Sequence, residues 1–119
     1  MLVKIPSEKL DFILGLRNNY NVYLLSNTNS IHWNYACKNA FNYKGFGIKD
    51  FFIKTFLSYE MHLAKPDKAI YERMLYEAKL IPEKTLFIDD SETNCNMARQ
   101  LGILAHHYHI GDKLETVLT

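Results

Sequence analysis

The sequence has few of the features that define specialised classes of protein. It contains only two cysteines, Cys37 and Cys95, too few for a disulfide scaffold and at a spacing that fits no zinc motif. Its charges nearly cancel, with 14 Lys and Arg against 13 Asp and Glu, which excludes the strong basic field of a dedicated nucleic-acid-binding protein. No apolar run approaches the roughly 18 residues of a membrane span, and the first residues do not resemble a signal peptide. These absences favour a protein of the reducing cytoplasm, without nucleic-acid or membrane partners.

Helical and strand patterns alternate along the chain. Capped amphipathic segments predict four helices, and Ser91 is expected to cap the last of them and Gly102 to end it. Pro66 is expected at the first position of the third helix. Apolar runs predict strands at 22–25, 51–53, 55–57, 85–88 and 104–110. This order predicts an α/β fold with a mostly parallel sheet and helices on both faces, and the absence of a linker predicts a single domain over residues 1–119.

The residues suited to chemistry follow predicted strands or precede a helix. One strand leads into Ser26 and Asn27, another leads into Asp89 and Asp90, and Lys65 lies just before the third helix. Ligands of open α/β sheets bind beyond the carboxyl ends of the strands. Carboxylate oxygens hold Mg²⁺, while Lys and Ser neutralise and orient phosphate oxygens, so this set suits a magnesium-dependent phosphoryl site. Taken singly, each residue also fits a structural role as a turn residue, a solvated lysine or a charge at a helix N-terminus.

Three segments together resemble motifs of the haloacid dehalogenase-like (HAD) hydrolases. In family order, the second, third and fourth motifs resemble residues 22–28, 65–71 and 86–102 of this sequence, the last with Asn94, Ala98, Leu101 and Gly102. The resemblance implies a Rossmann-like HAD core. It also implies Mg²⁺-dependent hydrolysis of a small phosphate monoester through an aspartyl-phosphate, because the paired acids favour a phosphatase over a dehalogenase.

The resemblance also implies a role for each matching residue. Ser26 would donate a hydrogen bond to a phosphate oxygen, and Asn27 would add an amide contact. Lys65 would bind the phosphate and steady the nucleophile as a catalytic residue. Asp90 would be the direct Mg²⁺ ligand, and Asp89 would act on the metal through water or orient the site.

The first motif of the family, D-x-D-x-[TV] after an N-terminal strand, has no counterpart in the sequence. The family takes its nucleophile and its general acid from that motif. The acids that precede Ser26 are Glu8 and Asp11, and both fall inside the first predicted helix. The cap domain that follows the motif is also missing. We therefore expect a partial core, a fragment that is inactive and marginally stable alone unless an N-terminal segment or a second chain completes its sheet.

Other interpretations remain open at this point. The chain is alternatively a non-catalytic truncated homologue that binds phosphate or a partner protein. A signalling receiver domain is disfavoured because Asp112 lies on no apolar strand. His106, His107 and His109 are better explained as surface histidines than as a metal site, and the lysines and aromatics of residues 43–56 as packing than as an RNA-binding surface.

Overall fold

The structure, a computed structural model, describes residues 7–109 and 111–113, with side chains from Leu10 onward. The chain divides into two compact units, Met1–Ala64 and Lys65–Thr119, which are described in turn.

Among its described residues, the first unit contains a parallel pair of strands and four helices. In chain order these are α1 (Ser7–Leu16), β1 (Tyr23–Ser26), α2 (Ser30–Tyr35) with a π-helical turn over Ala36–Ala40, α3 (Ile48–Phe51), β2 (Lys54–Leu57) and α4 (Ser58–Met61). The strands pair in parallel with Tyr23 opposite Lys54 and Ser26 opposite Leu57. The carboxyl ends of β1 and β2 therefore lie side by side, which places the residues that follow them at one edge of this sheet.

An aromatic cluster forms the core of the first unit. Phe41, Phe51 and Phe52 are buried together with Leu10. The Phe41 ring centroid lies 5.6 Å from that of Phe51 and 5.4 Å from that of Phe52, the second pair in an edge-to-face arrangement. Such contacts add to the stabilisation from apolar burial. Phe51 and Phe52 thus have the packing role expected for the aromatic residues of the stretch 43–56, whereas Phe46 of that stretch is 43% exposed.

The strand predicted at residues 51–53 is wrong, whereas the strand predicted at 55–57 is confirmed within β2. Phe51 ends α3 instead. The Gly47 N–H donates to Asp50 Oδ2 at 2.8 Å, and the Asp50 N–H donates to the Gly47 carbonyl at 2.9 Å. These two bonds satisfy amide groups at the start of a helical turn, which favours a helix over an extended chain here.

The second unit repeats the parallel strand arrangement. Its elements are α5 (Lys68–Glu77), a 3₁₀ turn (Pro82–Lys84), β3 (Leu86–Asp89), α6 (Glu92–Gln100) and β4 (Leu104–His107). The two strands pair in parallel with Asp89 opposite His107. Its core consists of buried side chains from both helices, from β3 and from the residue before β4: Ile70, Tyr71, Met74, Phe87, Cys95, Ala98 and Ile103. Strand β4 ends at His107, earlier than the predicted strand 104–110, and the last residue of that prediction, Ile110, lies outside the described residues.

Both ends of α6 agree with the sequence prediction. Ser91 Oγ accepts the Asn94 N–H, so Ser91 is the N-cap. Gly102 follows the helix with a φ of +84°, a left-handed conformation that glycine adopts without strain. The capping prediction is therefore confirmed.

The position predicted for Pro66 is wrong. Helix α5 begins at Lys68, and Asp67 is its N-cap with φ −60° and ψ 130°. Because the Asp67 backbone is extended, Pro66 lies before the helix. The first turn begins with the bond from the Ile70 N–H to the Asp67 carbonyl, at 3.2 Å.

The predicted α/β class is confirmed by the alternation of helices and parallel strands in both units. Within the part of the chain that the structure describes, no helix is long and apolar enough to cross a membrane.

Candidate functional site

Lys65 and Asp89 form a buried ion pair in the second unit. Lys65 Nζ donates to Asp89 Oδ2 at 2.6 Å, and the two side chains are only 11% and 8% exposed. Strand β3 carries Asp89 to its carboxyl end, where the predicted site lies. The structure thus brings together two of the residues that the sequence analysis singled out.

Asp89 also accepts hydrogen bonds from groups that follow it in the chain. The Ser91 N–H donates to Asp89 Oδ1 at 2.8 Å, and Asn94 Nδ2 lies 3.5 Å and 3.4 Å from the two carboxylate oxygens. Burial would raise the pKa of Asp89, but the hydrogen bonds from Lys65 and Ser91 outweigh it and hold that pKa below its ordinary value. The Asp89 carboxylate is therefore ionised at neutral pH and oriented through both oxygens.

Tyr71 and Asn94 also support this arrangement, and neither was assigned a role in the site from the sequence. Tyr71 is fully buried, and its hydroxyl donates to the Asn94 carbonyl at 2.9 Å. Its ring meets Phe87 edge to face at 5.6 Å, and Lys65 Nζ lies 5.7 Å from the centroid of the same Phe87 ring. The position of Asn94, three residues after the N-cap Ser91, is a sequence signal for the role of Asn94. Tyr71 lies in the segment 65–71 that resembles the third motif, but the resemblance gave it no role in the site.

Asp90 differs from Asp89 in exposure. Its side chain is exposed, and its backbone carbonyl lies 2.9 Å from His107 Nε2, which must carry the hydrogen because a carbonyl only accepts. The strand register explains this contact, since His107 lies opposite Asp89. The exposed carboxylate of Asp90 is thus better suited to contact a cation than the Asp89 carboxylate, which Lys65 and Ser91 already engage.

The chemistry of this donor set fits Mg²⁺. Mg²⁺ in proteins commonly takes one or two carboxylates and completes its shell with water and substrate phosphate. The described residues hold no group of three or more His, Cys, Asp and Glu side chains arranged for a metal, as a zinc site would need. His106, His107 and His109 therefore belong to no such group. His106 lies 3.1 Å from Asp112 Oδ2, and the His107 ring lies 4.3 Å from that of His109.

Ser26 and Asn27 lie in the first unit, at the carboxyl end of β1. Ser26 is the last residue of the strand and is partly buried, and Asn27 is exposed. The next residue, Thr28, is held through its backbone by Ser58 Oγ, which accepts the Thr28 N–H at 2.8 Å and donates to the Thr28 carbonyl at 2.9 Å. Asn29 then caps α2 by accepting the His32 N–H at 2.9 Å. No feature of the sequence marked Ser58 in advance.

Known proteins with the same pattern were found by sequence and by structure. A family model of the haloacid dehalogenase-like hydrolases matches residues 7–102. The D-ribitol-5-phosphate phosphatase of Bacteroides thetaiotaomicron is 40% identical over 99 residues, which are 83% of this chain and 48% of that protein. The chain therefore spans about half the length of this curated relative.

Several solved structures share the fold of this chain. A HAD family enzyme of Bacteroides thetaiotaomicron, in complex with magnesium and inorganic phosphate, is 49% identical with a TM-score of 0.94 over 99% of this chain and 60% of its own. A predicted HAD-like family hydrolase of Porphyromonas gingivalis is 34% identical with a TM-score of 0.88 over 98% of this chain and 57% of its own. These likenesses confirm the Rossmann-like HAD fold. With the family model covering residues 7–102, they establish that the chain belongs to the haloacid dehalogenase-like hydrolase family.

Proposed function

We propose that this chain supplies the phosphate- and magnesium-binding part of a HAD-type phosphatase that hydrolyses a small phosphate monoester. The observation that carries the proposal is the buried Lys65–Asp89 ion pair with the exposed Asp90 beside it. A buried lysine held by a carboxylate supplies a fixed positive charge for an anionic ligand. The D-ribitol-5-phosphate phosphatase and the structure with magnesium and phosphate support the same chemistry.

In this proposal each residue of the second unit has a distinct role. Lys65 binds a phosphate oxygen and stabilises negative charge that develops during phosphoryl transfer. Asp89 holds the Lys65 ammonium in place, and Asn94 and Ser91 hold Asp89. Asp90 provides the carboxylate oxygen for Mg²⁺. When bound, Mg²⁺ would neutralise charge on phosphate oxygens.

Ser26 and Asn27 are proposed as the phosphate contacts of the first unit. The Ser26 hydroxyl and the Asn27 amide are hydrogen-bond donors, which an anionic phosphate needs. The family resemblance implies a carboxylate that attacks phosphorus, displaces the alcohol, and is regenerated when water hydrolyses the acyl phosphate. No such nucleophile is predicted in the sequence of this chain. The role proposed for the chain is therefore to bind phosphate and Mg²⁺ and to stabilise negative charge.

Binding of magnesium and phosphate to the 119-residue chain tests this proposal. Isothermal titration with inorganic phosphate, and then with D-ribitol 5-phosphate as the first ester, is run with Mg²⁺ and with EDTA. We expect Mg²⁺-dependent binding that Asp90→Asn removes. Glu72→Gln is the matched control, because Glu72 is an exposed carboxylate on α5. Magnesium-dependent binding by Asp90→Asn equal to that of the wild type would contradict the metal assignment.

A turnover assay on the same samples separates the two functional interpretations. Release of phosphate from the ester, abolished by Asp90→Asn, identifies a phosphatase within the chain itself. Binding without release agrees with the non-catalytic alternative or with a nucleophile supplied by another segment. Absence of both binding and release contradicts the proposal as a whole.

A further inference from the structure

We propose that Ser58 is a positioning residue that sets the backbone of the phosphate-binding loop, here defined as residues 26–28. The inference rests on the proposed function, since it assumes that Ser26 and Asn27 contact phosphate. It is carried by the reciprocal hydrogen bonds between Ser58 Oγ and both backbone groups of Thr28, at 2.8 Å and 2.9 Å. Ser58 acts on the loop and is not itself assigned a contact with phosphate.

The parallel strand register explains why Ser58 reaches the loop. Ser26 lies opposite Leu57, the last residue of β2, and Ser58 follows Leu57 directly. Since both strands end at the same edge, the first residue after β2 lies beside the chain that leaves β1. The contact joins residues 30 positions apart in sequence, so it fixes the loop to the neighbouring strand.

The two bonds together restrain the orientation of the Thr28 peptide groups. One hydroxyl supplies one donor and accepts through its lone pairs, and both capacities are used on the same residue. A single bond would leave the loop free to rotate about it, whereas bonds to both the N–H and the carbonyl of Thr28 restrain that rotation. Asn29, the residue after Thr28, is restrained in turn because its side chain caps α2. Ser26 and Asn27 are thus held between the end of β1 and a double hydrogen bond.

The first measurement is amide hydrogen exchange on the unaltered 119-residue chain. If Ser58 holds the loop, the Thr28 N–H is protected from exchange, although it lies outside any helix or strand. Replacement of Ser58 by Ala removes the acceptor, so this amide should then exchange faster. A Thr28 amide that exchanges in the wild type as fast as an open loop amide overturns the proposal without any mutant having to fold.

The second measurement compares phosphate binding by three variants. Ser58→Ala should weaken binding of inorganic phosphate by roughly five- to tenfold, from the loss of two hydrogen bonds. Ser58→Thr keeps the hydroxyl and should restore most of the affinity. Ser30→Ala is the matched control, because Ser30 is an exposed serine at the start of α2 in the same unit.

A structural defect and a positioning defect give different results in these experiments. A merely destabilised first unit would lower the unfolding midpoint followed by Trp33 emission together with phosphate affinity, because Trp33 and Ser58 both lie in Met1–Ala64. A displaced loop loses phosphate affinity while that midpoint is unchanged. Equal phosphate affinity of Ser58→Ala and the wild type overturns the role of Ser58 and leaves the proposed function standing. Failure of the wild-type chain to bind phosphate at all overturns both.

Discussion

Lys65 and Asp89 form an ion pair that water scarcely reaches, and the loss of either partner leaves a buried charge. We expect Lys65→Met to lower the free energy of unfolding by about 3–5 kcal/mol, because an unpaired buried carboxylate is costly. The double variant Lys65→Met/Asp89→Asn should recover part of that loss, since no unpaired charge then remains. Urea denaturation measures both changes.

The control for this pair is an exposed lysine of the same unit. Lys84 is exposed in the 3₁₀ turn, and Lys84→Met should change stability by no more than about 0.5 kcal/mol. A Lys65→Met variant as stable as Lys84→Met would show that the 2.6 Å contact contributes nothing to folding.

Asp112 provides a test of local electrostatics in the same unit. The His109 backbone N–H, followed by the His106 side chain, holds the pKa of Asp112 below its ordinary value. A carboxyl with a depressed folded pKa stabilises the fold fully above the unfolded pKa of about 3.9, and this contribution is lost as the pH falls through the lower folded pKa. A carbon-13 titration of the Asp112 carboxyl should therefore have its midpoint below the ordinary value.

Removal of the histidine side chain separates the two causes of that shift. His106→Ala should raise the Asp112 midpoint only partly, because the His109 N–H at 2.8 Å remains. His32→Ala, in the other unit, should leave the midpoint unchanged. An Asp112 midpoint at or above the ordinary value in the unaltered chain would contradict the assignment.

At this scale the sequence predicted residue types better than their contacts. Lys65 and Asp89 were predicted together because a lysine just before a helix and a carboxylate at the end of a strand are recognisable patterns. Ser58 and Tyr71 were not, since a serine after a strand and a tyrosine on a helix are ordinary there. Their roles arise from a strand register and a buried hydroxyl, which only the folded chain reveals.

At the scale of secondary structure, the stability of helix α6 depends on its N-cap. Ser91 Oγ accepts the Asn94 N–H at 3.3 Å, and the Ser91 N–H donates to Asp89. Ser91→Ala should therefore cost about 1 kcal/mol of stability, because the Asn94 amide loses its partner. Ser91→Asp should retain most of it, since Asp is an equally good N-cap residue. Thermal denaturation followed by circular dichroism gives both values, and equal stabilities of the alanine variant and the wild type would show that the cap is not needed.

Elements with strong end signals were predicted well, and those without them were not. Ser91 and Gly102 bound α6 where expected, because a hydroxyl acceptor and a left-handed glycine each have a specific function at a helix end. The run 51–53 is apolar, and a short apolar run does not distinguish a strand from a buried helical turn. The Gly47-to-Asp50 spacing was the signal for α3. Pro66 was misplaced because proline is compatible with a helix start as well as with the chain before it.

The molecule as a whole has two pairs of parallel strands, one in each unit. In the part of the chain that the structure describes, each sheet has only two strands, and sheets of this size are marginal in water. We expect the 119-residue chain to unfold near the low end of the range of about 45–65 °C that is usual for mesophilic domains. A cooperative transition well above about 60 °C would contradict this expectation.

Calorimetry measures that transition and tests the domain prediction. One transition whose calorimetric and van't Hoff enthalpies agree would support a single domain over residues 1–119. Two separate transitions would instead assign independent stability to Met1–Ala64 and Lys65–Thr119. The single domain stays a prediction until that measurement, because a sequence without a linker does not reveal how strongly two units are coupled.

The packing of Trp33 against the aromatic core of the first unit provides an optical label that needs no engineering. Trp33 is the only tryptophan in the sequence, and its ring centroid lies 6.3 Å from that of Phe41. Indole emission therefore reports on Met1–Ala64, while Lys65–Thr119 contains no tryptophan and gives no indole signal. Fluorescence and far-ultraviolet circular dichroism recorded on one sample would thus distinguish unfolding of Met1–Ala64 from unfolding of Lys65–Thr119.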